Sequence, residues 1–286
     1  MGRRASVDPL KKDFVASQFL YFCFQGDCIL IYKSLNYDIY RFGKIDSTNS
    51  HLSRLGEEGF PEGTVIVADE QTAGRGRFGR SWEAEPQANL LFSLLLRPHF
   101  LQQDEIFVLT FAAAVAVAEG IEKITNLHPQ LKWPNDVLLD GKKVCGILLE
   151  SSFDSSRFSR VVLGIGLNVN QQNFSPSISS QATSLFLSTG KRFDREELLI
   201  AILTNFSLFY DSTQKRDFYS VMKKWRDRST MSGKKIIVSL EGRRYEGICD
   251  DVADDGRLVV STDDGPKKFT AGKVTILREA RGRLIE

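Results

Sequence analysis

The chain predicts an α+β protein, with a mixed β-sheet carrying helices packed on it and a small all-β unit behind. Three observations predict this. The short apolar runs at 64–68 and Leu90–Leu96 have the length and bounding residues of buried strands. Residues 106–124 are Ala-rich, continuously apolar and too long for a strand, so they read as a core helix. After Ser232-Gly233, strand-like pieces recur between Gly-containing turns, as in a small barrel or sandwich.

Taken in order, residues 39–45 read as a strand. Asp46-Ser47-Thr48-Asn49 then offers several N-caps for a short helix ending near Gly56. The strand at 64–68 delivers the chain into an Arg/Gly loop. Pro98 stops the strand Leu90–Leu96. Leu131-Lys132-Trp133 is extended, because Pro134 disfavours helical geometry before it. Residues 137–139 and 143–149 form a hairpin through Asp140-Gly141. A Ser-rich polar loop leads to a strand over 161–169. Residues 196–210 carry apolar side chains at helical spacing, and the helix continues after a break towards Trp225. The tail offers strands at Lys235–Leu240, 244–249, 257–261, 267–270 and 274–277.

With 286 residues, 42% hydrophobic and 26% charged, the chain has the composition of a globular protein with room for two unequal units. A net charge of +2 is too small to imply nucleic-acid binding, so any positive charge that matters must be local. Cys23, Cys28, Cys145 and Cys249 are scattered, which favours reduced thiols over a metal site. Arg3, Arg4, Lys11 and Lys12 precede an apolar run over 14–24. That run is too short to span a bilayer and lacks a clear cleavage site, leaving an amphipathic helix or an organelle-targeting extension open.

Glu70-Gln71-Thr72-Ala73-Gly74-Arg75-Gly76-Arg77-Phe78-Gly79-Arg80 places three permanent charges on a glycine-rich loop. Each guanidinium can fork onto a carboxylate or phosphate, and Phe78 and Trp82 can anchor the loop as a lid. A solvated loop or an RNA-binding segment is the other reading. Lys132 and Lys143 stand in otherwise apolar strands, and Lys143 can equally end a hairpin in water. Gly146 follows Lys143, and Gly164 and Gly166 lie on the strand expected beside it. Glycine inside strands often marks a ligand lying against bare backbone. Two such strands beside two lysines would form a slot with a cationic end, and Asn168 offers an amide beyond it.

In combination, Gly74-Arg75-Gly76-Arg77-Phe78-Gly79-Arg80, Lys132-Trp133-Pro134-Asn135-Asp136, Lys143 and Gly164-Ile165-Gly166-Leu167-Asn168-Val169 resemble the motifs of biotin protein ligases (holocarboxylase synthetases). So does the order of strand, Ser47-Thr48-Asn49 and helix. The resemblance implies a class II synthetase-like biotin/lipoate ligase fold with an SH3-like C-terminal barrel. It divides the chain into an extension at 1–36, a catalytic domain at 37–230 and the small barrel at 231–286. It also implies two half-reactions. Biotin and ATP give biotinyl-5′-AMP and pyrophosphate, and a lysine of a biotin carboxyl carrier domain then displaces AMP.

The family implies Arg77 and Lys143 as the catalytic pair, Lys143 meeting the biotin carboxylate. Ser47, Thr48, Asn49, Gln71, Gly74, Arg75, Gly76, Arg77, Lys143, Gly164 and Gly166 are the implied biotin-binding residues. Ser47, Thr48 and Gln71 would pair with the ureido ring, which is costly to bury alone, although Ser47 and Thr48 also suit plain capping. ATP falls to Arg77, Arg80, Lys132, Asn135, Asp136 and Asn168, with Mg2+ arriving on the nucleotide and no protein metal site. Residues 75–80 would close over the reactive anhydride and exclude water. Trp82 either supports the adenine side or anchors the loop, the anchor being favoured, and Asp136 is read as orienting an arginine rather than ligating metal. Residues 1–36 are too short for the DNA-binding winged helix of some relatives, so no repressor role is expected. Nucleic acid and membrane are not expected partners, a homodimer stays open, and the compartment expected is the cytoplasm. A lipoate-protein ligase of the same fold is the rival enzyme.

Overall fold

Every residue of Leu90–Leu96 is buried, as an apolar strand with neighbours on both edges and helices on both faces must be. It lies near the centre of a mixed sheet in a computed structural model that describes residues 13–15, 19–24, 27–32, 35–154, 157–280 and 283–285. The elements of the larger unit are β1 (Asp13–Val15), β2 (Phe19–Phe24), β3 (Asp27–Tyr32), β4 (Tyr37–Ile45), α1 (Thr48–Glu57), β5 (Thr64–Gln71), β6 (Leu90–Leu96), α2 (Phe107–Thr125), β7 (Gln130–Lys132), β8 (Asp136–Leu139), β9 (Lys142–Asp154), β10 (Arg157–Leu167), α3 (Leu185–Thr189), α4 (Arg195–Gln214) and α5 (Phe218–Arg226). The main sheet runs β1-β4-β5-β6-β10-β9-β8-β7. β4 and β5 are parallel while the other neighbours are antiparallel, so the sheet is mixed as expected.

Helices cover both faces. α1 turns Leu52 and Leu55 onto Ile66, Leu95 and Val162. On the other face α2 is buried along most of its length and α4 packs across it. The approach is close: a Cβ on Gly120 would sit 2.9 Å from Ile202 Cγ1. Phe111 of α2 meets Trp225 of α5 edge-on, with ring centroids 5.0 Å apart.

Three expectations change. The described residues of the apolar run at 14–24, namely 14–15 and 19–24, have strand backbone, β2 pairing with β3, and not the amphipathic helix expected. A targeting signal in residues 1–12 lies outside the described residues. The described residues of the Ser-rich stretch before residue 161 are strand rather than loop, since β9 and β10 continue as paired strands with Arg157 opposite Asp154. Phe153 and Phe158, with ring centroids 4.7 Å apart, give those polar strand ends an apolar contact to hold on to. α3 was not expected from the sequence; Ser184 caps it by accepting from the Leu187 N–H.

The tail forms β11 (Lys235–Leu240), β12 (Arg243–Val252), β13 (Leu258–Thr262), β14 (Gly265–Phe269) and β15 (Lys273–Ile276), in the order β14-β13-β12-β11-β15. A final hairpin pairs β16 (Arg278–Ala280) with β17 (Arg283–Ile285). The two units share apolar core. Trp133, 1% exposed, donates its indole N–H to Gly256 O at 3.0 Å. Gly256 has φ +74, and a Cβ there would lie 2.3 Å from the Phe107 ring, so only glycine fits that turn. Arg226 donates to Val252 O and pairs with Asp254 at 2.6 Å, fastening α5 to the barrel.

Candidate active site

A cavity of about 1040 Å3 opens where β9 and β10 meet the Arg/Gly loop, the segment 174–182 and β15. Of the residues singled out in the sequence, Ser47, Thr48, Asn49, Gln71, Arg75, Gly76, Arg77, Arg80, Lys132, Asn135, Asp136, Lys143, Gly164, Gly166 and Asn168 all line it. Gly74 does not. It stands behind the loop, where a Cβ would meet Trp82 O at 2.7 Å, and its carbonyl accepts from Trp82 N. The glycine permits the close approach of the loop's two arms.

The loop is more ordered than its glycine content suggests. Arg75 bridges to Ser81, and Gly76 N donates to Arg80 O at 2.7 Å. Phe78, expected to anchor it, is 60% exposed and has φ +57. Trp82 does the anchoring, and in doing so it covers the glycine strands. Gly146 stands opposite Gly166 across the β9–β10 ladder. The indole lies on both, with Cβ atoms there falling 2.8 and 2.6 Å from its ring. Gly164 faces Asn49 instead, where a Cβ would fall 2.0 Å from Oδ1. The bare-backbone slot is therefore lined by an indole and a carboxamide.

At the start of α1, Ser47 holds the N-cap position without a capping side-chain bond, although it is 3% exposed. Its hydroxyl is thus available to the cavity it lines. Thr48 donates from N and Oγ1 to Gln71 Oε1, at 2.7 and 3.0 Å. Ser93 Oγ donates to Asn49 Oδ1 at 2.6 Å. These bonds fix three polar side chains at one end of the slot before any ligand arrives.

At the cationic end, Lys143 Nζ lies 2.5 Å from Asp136 Oδ1 and 5.4 Å from the Trp82 ring centre. Asp136 thus holds a lysine, and its charge also acts on the Arg77 guanidinium. Arg77 donates to Asn135 Oδ1 at 3.3 Å, and Asn135 in turn donates to Ile147 O. Burial holds the Arg77 guanidinium below its ordinary range, offset by Asp136 and reinforced by Arg80. An arginine remains charged through such a shift, so the cavity keeps its cation. Burial drives the Cys145 thiol well above its usual range, so this neighbour of Lys143 stays a neutral thiol. Cys145 and Cys249, the cysteines whose side chains are described, are free and buried.

Two buried polar atoms of the lining have no hydrogen-bond partner among the described residues, a donor at Trp82 Nε1 and an acceptor at Asn168 Oδ1. Asn168 is 3% exposed, and its Nδ2 donates to Thr183 O, so the free oxygen is held in one orientation. Unmet buried groups of this kind are rare and point to a polar ligand. Residues the sequence reading missed also border the site. They are Ser93, Glu150, the segment around Ile178 to Ala182, and Lys234 and Lys273 of the barrel. Glu150 had a signal, an acid closing the apolar run Ile147-Leu148-Leu149. The others are brought in by folding alone.

Comparison with known proteins agrees with this geometry. The Biotin/lipoate A/B protein ligase family profile matches residues 42–168, and that of the Biotin protein ligase C terminal domain matches 231–277. The chain is 35% identical over 234 residues to the bifunctional ligase/repressor BirA of Bacillus subtilis, covering 81% of this chain and 72% of that one. It is 32% identical to the biotin–[acetyl-CoA-carboxylase] ligase of Paracoccus denitrificans, covering 81% and 97%. The biotin protein ligase of Aquifex aeolicus in complex with biotin and ATP superposes with a TM-score of 0.74 at 32% identity, over 84% of this chain and 99% of that one. Sheet, barrel and motif-bearing cavity together with these likenesses place the chain in the biotin protein ligase family.

Proposed function

We propose that this protein is an ATP-dependent ligase that activates biotin as biotinyl-5′-AMP and transfers it to a lysine of a biotin carboxyl carrier domain. The observation that carries this reading is the convergence of Lys143, Arg77 and the unmatched Asn168 oxygen on one cavity. Two anions must meet there, and positive charge placed beforehand removes their repulsion without reorganisation at the moment of reaction.

Biotin's ureido ring would sit by Ser47, Thr48, Asn49 and Gln71, with its carboxylate on Lys143, which Asp136 holds in place. A carboxylate oxygen attacks the α-phosphorus, and pyrophosphate leaves with the bonding electron pair. Arg77, Arg80 and Lys132 bear the phosphate charge. Asn168 Oδ1 would accept from an amino group, which adenine carries and guanine replaces at that ring position with an oxygen. The acceptor amine, deprotonated, then attacks the acyl carbon and AMP departs. Mg2+ would enter as part of the MgATP substrate, held mainly by the phosphates.

On this reading residues 37–230 carry the chemistry, 231–286 form the accessory barrel and 1–36 are an extension. The chain acts as a ligase without a repressor function, in the cytoplasm. No helix among the described residues is long and apolar enough to cross a membrane. ATP–pyrophosphate exchange with biotin and with lipoate in parallel tests the assignment. Exchange driven by biotin, followed by mass gain on a carrier domain, is expected; exchange with lipoate alone would overturn it.

A further inference from the structure

A chain of polar contacts runs from the floor of the cavity out to the Arg/Gly loop. Gln71 Oε1 accepts from Thr48, whose Oγ1 lies 2.8 Å from the buried Ser93 Oγ. Ser93 donates to Asn49 Oδ1, which settles the orientation of that carboxamide and turns its amino group outward. Asn49 Nδ2 then donates to Leu148 O at 3.3 Å and to Glu150 Oε2 at 2.8 Å. The same Glu150 oxygen accepts from Arg75 Nη2 at 2.6 Å. One carboxylate oxygen therefore joins a side chain of the slot to a side chain of the loop.

We infer that Glu150 is a positioning residue that couples occupancy of the slot to closure of the Arg/Gly loop. The inference rests on the biotin-ligase reading and adds a regulatory link to it. Asn49 and Arg75 donate to the same oxygen together and so divide its charge between them. A slot ligand that takes the Asn49 amino group leaves Glu150 wholly to Arg75 and so pins the loop. The Glu150–Arg75 pair is open to water, with side chains 38% and 44% exposed, and such a pair adds little to fold stability. Its effect is expected in loop position rather than in folding. The remaining donors of the Arg75 guanidinium stay free for the adenylate phosphate.

Glu150→Gln keeps the shape and removes the charge. With biotin and MgATP, adenylate synthesis is read in a single turnover, and adenylate escape is read as biotin on bystander lysines of an added inert protein. Escape is expected to rise about five- to tenfold, the usual range for a coupling between sites. Synthesis is expected to fall by no more than about threefold, with an unfolding midpoint close to wild type. Arg75→Met should raise escape likewise, and the double variant should be no worse than the worse single one, since both changes break one link. Escape at the wild-type level in Glu150→Gln overturns the inference. So do effects that multiply in the double variant, or a loss of synthesis and melting temperature together. A wild-type chain that makes no adenylate from biotin overturns the biotin reading itself, and the inference falls with it.

Discussion

Asp136 and Lys143 form an ion pair 2.5 Å long across the β8–β9 ladder, with the lysine ammonium facing the Trp82 ring. The register shift between Val137 and Leu138 lets the pair form. Asp136 stands opposite Gly146 in the ladder, and the bulge lets Lys143, paired with Leu138, reach back to it. A cation held at the end of a slot in this way is positioned before its ligand arrives. Lys143→Ala should lower adenylate formation by roughly 10²–10³, on the scale of one preorganised charge-stabilising donor. Asp136→Asn keeps the cation but frees it, and a fall of about tenfold is expected. Single-turnover pyrophosphate release checks both, and equal losses would show that Asp136 does more than orient.

Gly164→Ala places a methyl group 2.0 Å from Asn49 Oδ1. The carboxamide must swing away, releasing Ser93, Leu148 and Glu150 together. KM for biotin should rise about tenfold and stability fall by about 1–3 kcal/mol, as for overpacking generally. Steady-state kinetics and calorimetry read the two effects. An unchanged KM would remove Asn49 from the slot.

Asn168→Ala deletes the fixed oxygen. KM for ATP should rise about tenfold, and the preference for ATP over GTP should shrink, because an unmet polar group at a recognition site is what rejects the wrong base. Exchange assays with both nucleotides decide it.

Trp133→Phe keeps the ring in the junction between the two units and leaves Gly256 O without its donor. Loss of about 1–3 kcal/mol is expected. That corresponds to several degrees in melting temperature for a chain of this size.

The pH dependence has a definite sign. Burial, with help from Arg54, holds the His51 imidazole below its ordinary range. The unfolded chain takes up that proton first on acidification. Stability is therefore present above about pH 6.5 and is lost as the pH falls below it. Asp46 adds a second acid limb, since its hydrogen bond from Arg54 lowers its carboxyl, and stability is lost again as the pH drops through the carboxylate range. His51→Gln should erase the first limb in melting curves taken from about pH 8 to about pH 3 and leave the second.

Most elements of the larger unit were legible in the sequence. Leu90–Leu96 matches its strand end to end, and α2 lies within one residue of the expected helix, because apolar runs and turn residues report local geometry directly. The hairpin at Asp140-Gly141 was legible for the same reason, with φ of 50 and 74 supplying the left-handed pair such a turn needs. The strand ends at 150–154 and 157–160 were not, because serine-rich sequence has no apolar alternation and extends only when a partner strand holds it. Phe78 misled for a related reason. An aromatic on a glycine loop can face in or out, and its left-handed backbone turns this one out.

The sequence by itself determined the set of chemical groups, namely three arginines on a glycine loop, two lysines in apolar strands, and glycines where backbone must stay bare. Only the tertiary structure decided which group meets which. It paired Lys143 with Asp136, laid Trp82 on Gly146 and Gly166, and joined Asn49 to Arg75 through Glu150. The physical reason is that composition and spacing act within a few residues. Partners at a site are set instead by strand register and by bulges, which depend on the whole sheet closing at once.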